Sequence, residues 1–475
     1  MSERPNIIII MTDQQKASSL PMYGNPVCRM PNLERFSEQA VTFENAYTSC
    51  PLCVPARVSL FTGQYPSAHG SLDNSLLMAP GKNHMLKLLK EHGYTCGLAG
   101  KNHCFQNDDM ALFDSTDESG HYGPITDDPS FIKPREHLRA AAELKGCWAY
   151  YRTPFPPEEL GTHWTTQRAI EFVGRKHENP FFLWYSIPDP HVPFQTPEPY
   201  ASMYKPEDVD IPEFAEGEMK HKPRAQQIDS SVMRADQVTE DNIRNIRAIY
   251  YGMNTYIDDE LGRFFDVMDK LGLSKNTIVV YVSDHGEYLG EHKMIRKSKA
   301  AYDCLTHIPM MIRTPETSGF RTDEFTTLED IMPTLLSAAG IETPAAVQGR
   351  NLSPLIDGDD FDSRSFVYGE YGGSNEPVNF TGGITTCESP RSPDFKPSLK
   401  LGGFGKMRYI RTHSWKLVCY VNDTWELYDL RNDPYELHNL YDEPGTEKIK
   451  FELQQMLIEY FMRISTPGVF TDKVS

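Results

Sequence analysis

Asn6-Ile7-Ile8-Ile9-Ile10-Met11-Thr12-Asp13-Gln14 stands near the start of the chain, and Thr277-Ile278-Val279-Val280-Tyr281-Val282-Ser283-Asp284-His285 stands well past its middle. Each is a short apolar run, rich in β-branched residues, that leads into a carboxylate and a second polar side chain. An apolar run without polar alternation suits a strand buried on both faces, the condition of strands inside a parallel sheet. The two runs predict strands over Asn6–Met11 and Thr277–Val282. Around them, strand patterns at Tyr94–Ala99, Phe181–Ile187 and Ile308–Ile312 alternate with helical patterns at Pro31–Ala40, Met85–His92, Thr162–Lys176, Glu240–Leu271 and Leu328–Ala339. That alternation predicts an α/β fold, a large mostly parallel sheet flanked by helices. Ligands of such sheets gather beyond the carboxyl ends of the strands. Asp13, Gln14, Asp284 and His285 fall at that end.

The pattern changes after about residue 360. A Gly- and Pro-rich loop from Gly372 to Gly405 leads to strand patterns at Met407–Ile410, Trp415–Tyr420 and Trp425–Asp429, then a helix over Glu447–Arg463. This predicts a smaller C-terminal antiparallel sheet with one helix. The chain has 475 residues, while single cores stop growing near ~250–300 residues. The division expected is a catalytic α/β domain over 1–360 and a smaller α+β subdomain over 361–475. The polar stretch Pro212–Asp236 reads as a long surface loop.

A formal net charge of −19 repels phosphate backbones, so nucleic acid is excluded as a partner. It also means that an anionic small substrate needs a local gathering of basic side chains. The run Ile7–Met11 is too short for the apolar region of a signal peptide, and no run reaches the ~18 residues of a membrane helix. The nine cysteines are an odd number with no disulfide-framework spacing, so reduced thiols in a cytoplasmic setting are expected.

Asp13 and Gln14, with Asp284 and His285, offer oxygen donors and one imidazole, a set suited to a divalent cation. The alternative is that each Asp caps a following turn or helix. Further on, Ser49-Cys50-Pro51-Leu52-Cys53-Val54-Pro55-Ala56-Arg57 runs to Thr62-Gly63. Pro55 as first helical residue and Gly63 at the end frame a short helix. Cys53 then precedes the helix, where amide donors and the dipole favour an anion. Two alternatives stay open: a buried structural thiol, and a redox pair, since Cys50 and Cys53 have C-x-x-C spacing.

Cys53-Val54-Pro55-Ala56-Arg57 with Thr62-Gly63 downstream resembles the signature of the sulfatases. The likeness extends to Gly100-Lys101-Asn102-His103, Pro190-His191-Val192-Pro193, Ser283-Asp284-His285-Gly286, Lys297, Asp330-Ile331-Met332-Pro333-Thr334, Leu427-Tyr428-Asp429-Leu430 and Asp433-Pro434. The resemblance implies an alkaline-phosphatase-like sandwich and hydrolysis of a sulfate monoester. It implies that Cys53 is oxidised to formylglycine by a separate formylglycine-generating enzyme, a transient partner reading C-x-P-x-R. It implies one divalent cation held by Asp13, Gln14, position 53, Asp284 and His285. Gln14 replaces the second Asp of many members and His285 their Asn, so calcium is expected with manganese as the alternative.

The implied catalytic set is Cys53, Arg57, Lys101, His103, His191 and Lys297. In it the hydrated formylglycine attacks sulfur, Lys101 and Lys297 hold sulfuryl oxygens, and His191 assists the leaving alcohol. Arg57 orients the diol, and His103 takes the proton that releases sulfate. Lys293 and Lys299 flank Lys297. Asn74 sits at a spacing from Cys53 that resembles the phosphonate monoester hydrolases, which makes a phosphonate monoester or phosphodiester hydrolase the alternative and places Asn74 among the substrate-binding residues with Lys101, His191 and Lys297. A degenerate binding protein and a dithiol redox protein are the readings outside hydrolysis. The substrate is a small-molecule or carbohydrate sulfate ester, with aryl, carbohydrate and alkyl alcohols all open. Self-association into a homo-oligomer is left open.

Overall fold

The computed structural model describes residues 4–145, 148, 150–372 and 405–464. The interior of the Gly372–Gly405 loop lies outside the described residues. In chain order the strands are β1 (Asn6–Thr12), β2 (Val41–Tyr47), β3 (Thr95–Gly100), β4 (Ser115–Gly120), β5 (Gly123–Pro124), β6 (Tyr150–Arg152), β7 (Phe181–Ile187), β8 (Phe194–Thr196), β9 (Thr277–Ser283), β10 (Met310–Arg313), β11 (Phe320–Thr327), β12 (Phe366–Tyr371), β13 (Met407–Thr412), β14 (Trp415–Tyr420) and β15 (Glu426–Asp429).

Among the described residues, nine strands form one sheet in the order β11-β2-β10-β9-β1-β7-β3-β4-β5. Neighbours are parallel except that β10 runs against β9 and β2, and β5 against β4. The two quoted runs become β1 and β9, hydrogen-bonded side by side from Asn6–Thr277 to Thr12–Ser283. That register brings Asp13 and Asp284 out at one sheet edge, where the Asp284 amide donates to the Thr12 carbonyl at 3.2 Å.

Side chains of β1 alternate between two cores. Ile8 and Ile10 pack with Tyr250, Met253, Ile257, Leu261 and Phe264 of the long helix Glu240–Lys270. Ile7, Ile9 and Met11 pack on the other face with Val54, Val58 and Phe61 of the helix Cys53–Thr62. All five β1 side chains are fully buried, each contributing roughly 1.5–3 kcal/mol. A strand clamped on both faces leaves little freedom to the residues directly after it.

The second sheet is antiparallel, in the order β12-β13-β14-β15. The helix Glu447–Ile464 covers it through Leu453 and Leu457, packed with Ile410, Leu417 and Leu427. A buried charge cluster ties this sheet to the large one. Lys416 Nζ donates to Asp303 Oδ1 at 2.6 Å and to the Ala301 carbonyl at 2.8 Å, and Arg411 donates to Asp303 Oδ2 at 3.0 Å.

The long surface loop expected over Pro212–Asp236 is instead a folded segment holding the helix Arg224–Val232. Its packing is polar, which hid it from a search for apolar periodicity. Gln226 is fully buried and donates to Tyr420 Oη at 3.0 Å and Glu426 Oε2 at 2.9 Å. Strands β2, β11 and β12 also lie where no strand was expected. Among the described residues no helix is long and apolar enough to cross a membrane.

Candidate active site

The ends of β1 and β9 supply the floor. Asp13, Gln14, Asp284 and His285 are fully buried there. Gln14 adopts a left-handed backbone, φ 67°, which costs on the order of 1–3 kcal/mol and is tolerated where surrounding contacts impose it. Those contacts are present: the Gln14 amide donates to Asp284 Oδ1 at 3.0 Å, and its carbonyl accepts from Tyr250 Oη at 2.7 Å.

The wall is the helix Cys53–Thr62. Leu52 is its N-cap, and the Ala56 amide bonds back to the Leu52 carbonyl at 3.0 Å. Cys53 is therefore the first helical residue and Pro55 the third, a correction to the expected start at Pro55. Gly63, at φ 63°, ends the helix as expected. Asn74 Oδ1 accepts the Val54 amide at 3.0 Å, satisfying one of the helix's open donors. Its carbonyl is thus committed to the helix start.

Cys53 Sγ, one oxygen each of Asp13 and Asp284, and a ring nitrogen of His285 lie within 4.8 Å of one another. Cys53 Sγ is 3.3 Å from His285 Nε2 and 3.1 Å from Lys297 Nζ. His285 Nδ1 bonds the Gly286 carbonyl at 2.8 Å. A carbonyl only accepts, so Nδ1 carries a proton, and Nε2 is the nitrogen that faces the site and offers a lone pair to a cation once it is unprotonated.

Arg57, also fully buried, joins the two carboxylates. Its Nε donates to Asp284 at 3.0 Å and its Nη2 to Asp13 at 3.2 Å, while Nη1 bonds Ser186 Oγ at 2.8 Å and the Lys101 carbonyl at 3.0 Å. Lys101 pairs with Asp13 Oδ2. Gly100 makes the turn that delivers Lys101: a Cβ there would sit 1.9 Å from the Ser186 carbonyl oxygen.

The electrostatics distinguish the groups. Burial raises the Asp13 carboxyl, but Lys101, His191, Arg57 and His121 together hold it well below the usual range. Burial and Asp13 leave Asp284 above its ordinary value despite His285 and Arg57. Its negative charge is thus incompletely compensated by the side chains present, and the mixed oxygen and nitrogen donor set fits a divalent cation. Burial and Asp13 raise the Cys53 thiol; Lys101, Lys297 and His285 outweigh them and bring it well below its ordinary value. Cys50 is different: burial and Glu370 push its thiol well up. Both cysteines are free.

The structure therefore brings together Asp13, Gln14, Cys53, Arg57, Lys101, Asp284, His285 and Lys297. His191 reaches this group through a residue that sequence reasoning missed. His121 stacks on His191 with ring centroids 3.7 Å apart, and its Nε2 lies 3.0 Å from Lys101 Nζ. His103 stands edge-on to His121 at 6.2 Å, with a left-handed backbone and a buried, unbonded Nδ1. His121 sits in the polar hairpin between β4 and β5, where nothing in the pattern separates one histidine from a solvated loop residue. Glu287, bonded to Gln14 Nε2, was also missed although it lies two residues after His285.

Residues 5–341 match the family model described as Sulfatase, and residues 404–462 match that of the N-sulphoglucosamine sulphohydrolase C-terminal region. An arylsulfatase of Clostridium perfringens is 29% identical over 394 residues, covering 78% of this chain and 82% of that protein. An N-acetylglucosamine-6-O-sulfatase of Bacteroides thetaiotaomicron is 24% identical over 421 residues, covering 75% of this chain and 71% of its own. Among solved structures, a phosphonate monoester hydrolase of Silicibacter pomeroyi superposes with a TM-score of 0.80 at 23% identity, covering 97% of this chain and 96% of that one. That last likeness concerns the fold alone.

Proposed function

The chain belongs to the sulfatase family and is a sulfuric ester hydrolase, and we propose that its nucleophile is formylglycine made from Cys53, working beside one divalent cation. The observation that carries this reading is the convergence on Cys53 of Asp13, His285 and Lys297. Asp13, Asp284, His285 and the amide oxygen of Gln14 would hold the cation, calcium or manganese, with position 53 completing the set. When bound, the cation supplies Lewis-acid polarisation, and the hydrated aldehyde supplies the attacking oxygen.

The chain's own residues divide the remaining work. Arg57 fixes the two carboxylates against each other through its bonds to both. Lys101 and Lys297 bring two ammonium groups to the sulfuryl oxygens, where a charged donor facing developing charge is worth the most. His191 Nδ1 bonds the Val192 carbonyl at 2.6 Å, so its proton sits there and Nε2 is bare. Burial, His121 and the two lysines keep His191 neutral, well below its ordinary value. It serves the leaving alcohol as an acid only after taking up a proton, which the negative charge of a bound ester favours. His103 is the residue assigned to deprotonating the second hydroxyl of the hydrated aldehyde.

The substrate class proposed is a carbohydrate sulfate. Its support is the match of the C-terminal region and the likeness to an N-acetylglucosamine-6-O-sulfatase. A reducing, cytoplasmic setting belongs to the same proposal, supported by seven free cysteines among the described residues. The test is a desulfation screen over aryl, carbohydrate and alkyl sulfates, using protein coexpressed with a formylglycine-generating enzyme. Sulfate release from sugars above the other two classes is expected. Release confined to aryl or alkyl esters would overturn the substrate class, and activity without an aldehyde at residue 53 would overturn the nucleophile.

A further inference from the structure

Gln14 brings to the proposed cation site an ambiguity that the carboxylates lack. An amide presents oxygen at one end and two hydrogens at the other, and only the oxygen can bind a cation. The backbone of Gln14 is held by Asp284 and Tyr250. Which end of the side chain faces the site is decided by its neighbours.

Two of them decide it alike. Lys297 Nζ stands 3.1 Å from Gln14 Oε1, and an ammonium only donates. On the other side Gln14 Nε2 donates to Glu287 Oε2. Glu287 is fully buried and fixed in turn, its Oε1 accepting the amides of Leu289, at 3.0 Å, and Arg296. Lys297 has a competing duty, since it also donates to Cys53 Sγ. Bound sulfate would draw it further away.

We propose that Glu287 is a positioning residue whose carboxylate holds the Gln14 amide with its oxygen toward the cation. The proposal rests on the reading of Asp13, Asp284 and His285 as cation ligands.

A polarity swap tests it. In Glu287→Gln the new carbonyl keeps the Leu289 and Arg296 amides, so the new NH2 group meets the NH2 group of Gln14. The Gln14 amide must turn over and present hydrogens to the cation. The full-length chain, stripped with chelator and titrated calorimetrically with Ca2+ and separately with Mn2+, should lose on the order of 10–100-fold in affinity. Gln14→Glu alone sets two carboxylates face to face and should also bind weakly. In the double variant the amide at 287 donates to the carboxylate at 14, whose second oxygen faces the cation, and most of the affinity should return.

A structural role for Glu287 would give no such rescue. Wild-type affinity in Glu287→Gln, with an unchanged metal-free melting temperature, would overturn the proposal. If the single variant does not fold, a double variant binding no tighter than Gln14→Glu would overturn it. Asp284→Asn separates the two levels. If neither the wild type nor this variant takes up either ion, the cation reading falls and this proposal with it. If the wild type binds and Asp284→Asn does not, a null result at Glu287 sinks this proposal alone.

Discussion

Lys297 Nζ lies 3.1 Å from the sulfur of Cys53, across 244 positions of sequence. The contact places a cation against the one cysteine, among the described residues, whose thiol is drawn well below its ordinary value. Cys53→Ala should abolish sulfate release, and Cys50→Ala, whose buried thiol is pushed the other way, should retain most of it. Turnover assays on the two variants decide this; equal loss in both would return the C-x-x-C pair to consideration.

Of the two carboxylates at the floor of the site, Asp284 is the less compensated by protein charge. Asp284→Asn should lose bound metal and activity together while the fold persists. Elemental analysis of purified protein beside circular dichroism tests it, and a metal-replete but inactive variant would contradict the assignment of Asp284 as a ligand.

Lys101 pairs with Asp13 and touches His121, so its ammonium stands at the meeting point of the cation ligands and the histidines. A sulfate monoester offers three terminal oxygens to donors; a phosphonate monoester replaces one with carbon. Lys101→Ala should cut kcat/KM for a nitrophenyl sulfate by roughly 10²–10³-fold, and should harm turnover of a matched phenylphosphonate ester less. Faster wild-type turnover of the phosphonate would promote the phosphonate hydrolase reading.

Glu329 is fully buried, and burial pushes its carboxyl from 4.5 up to about 7. Its Oε1 accepts from Ser49 and its Oε2 has no partner. A raised acid keeps its proton in the folded state and sheds it more readily when unfolded. Stability is therefore intact below pH 4.5 and declines as pH rises toward 7, by about 3 kcal/mol. Glu329→Gln removes that titration. Its melting temperature should exceed that of the wild type at pH 8, with the gap closing by pH 5. A gap independent of pH would show that Glu329 is ionised in the fold.

What could be read from the sequence followed from how completely each element is buried. Strands β1, β7 and β9 have both faces covered and read as unbroken apolar runs. Strand β11 lies at the sheet edge with a half-exposed, charged beginning, and nothing in Phe320–Thr327 announces it. The helix Arg224–Val232 escaped because it docks through Gln226 and not through an apolar stripe. Within the site, residues that follow strand ends or sit in the Cys53–Arg57 motif were identifiable. His121 and Glu287 act through partners distant in sequence or through a neighbour's amide, and such relations exist only once the chain has folded.

Cys53 is 1% exposed and Arg57 0% exposed, and both are enclosed by groups from far along the chain: Asp284, His285 and Lys297. The modifying enzyme that the proposed nucleophile requires, if it grips both positions, would have no access to them in the finished molecule. On the proposed formylglycine reading, conversion of Cys53 would therefore belong to the period of synthesis. The motif emerges from the ribosome long before the residues that will seal it, and a chain that folds unconverted loses its opportunity. The yield of active enzyme would then be set by a race between modification and folding, so slowing translation after residue 63, or delaying folding with a chaperone, should raise the active fraction without any change of sequence.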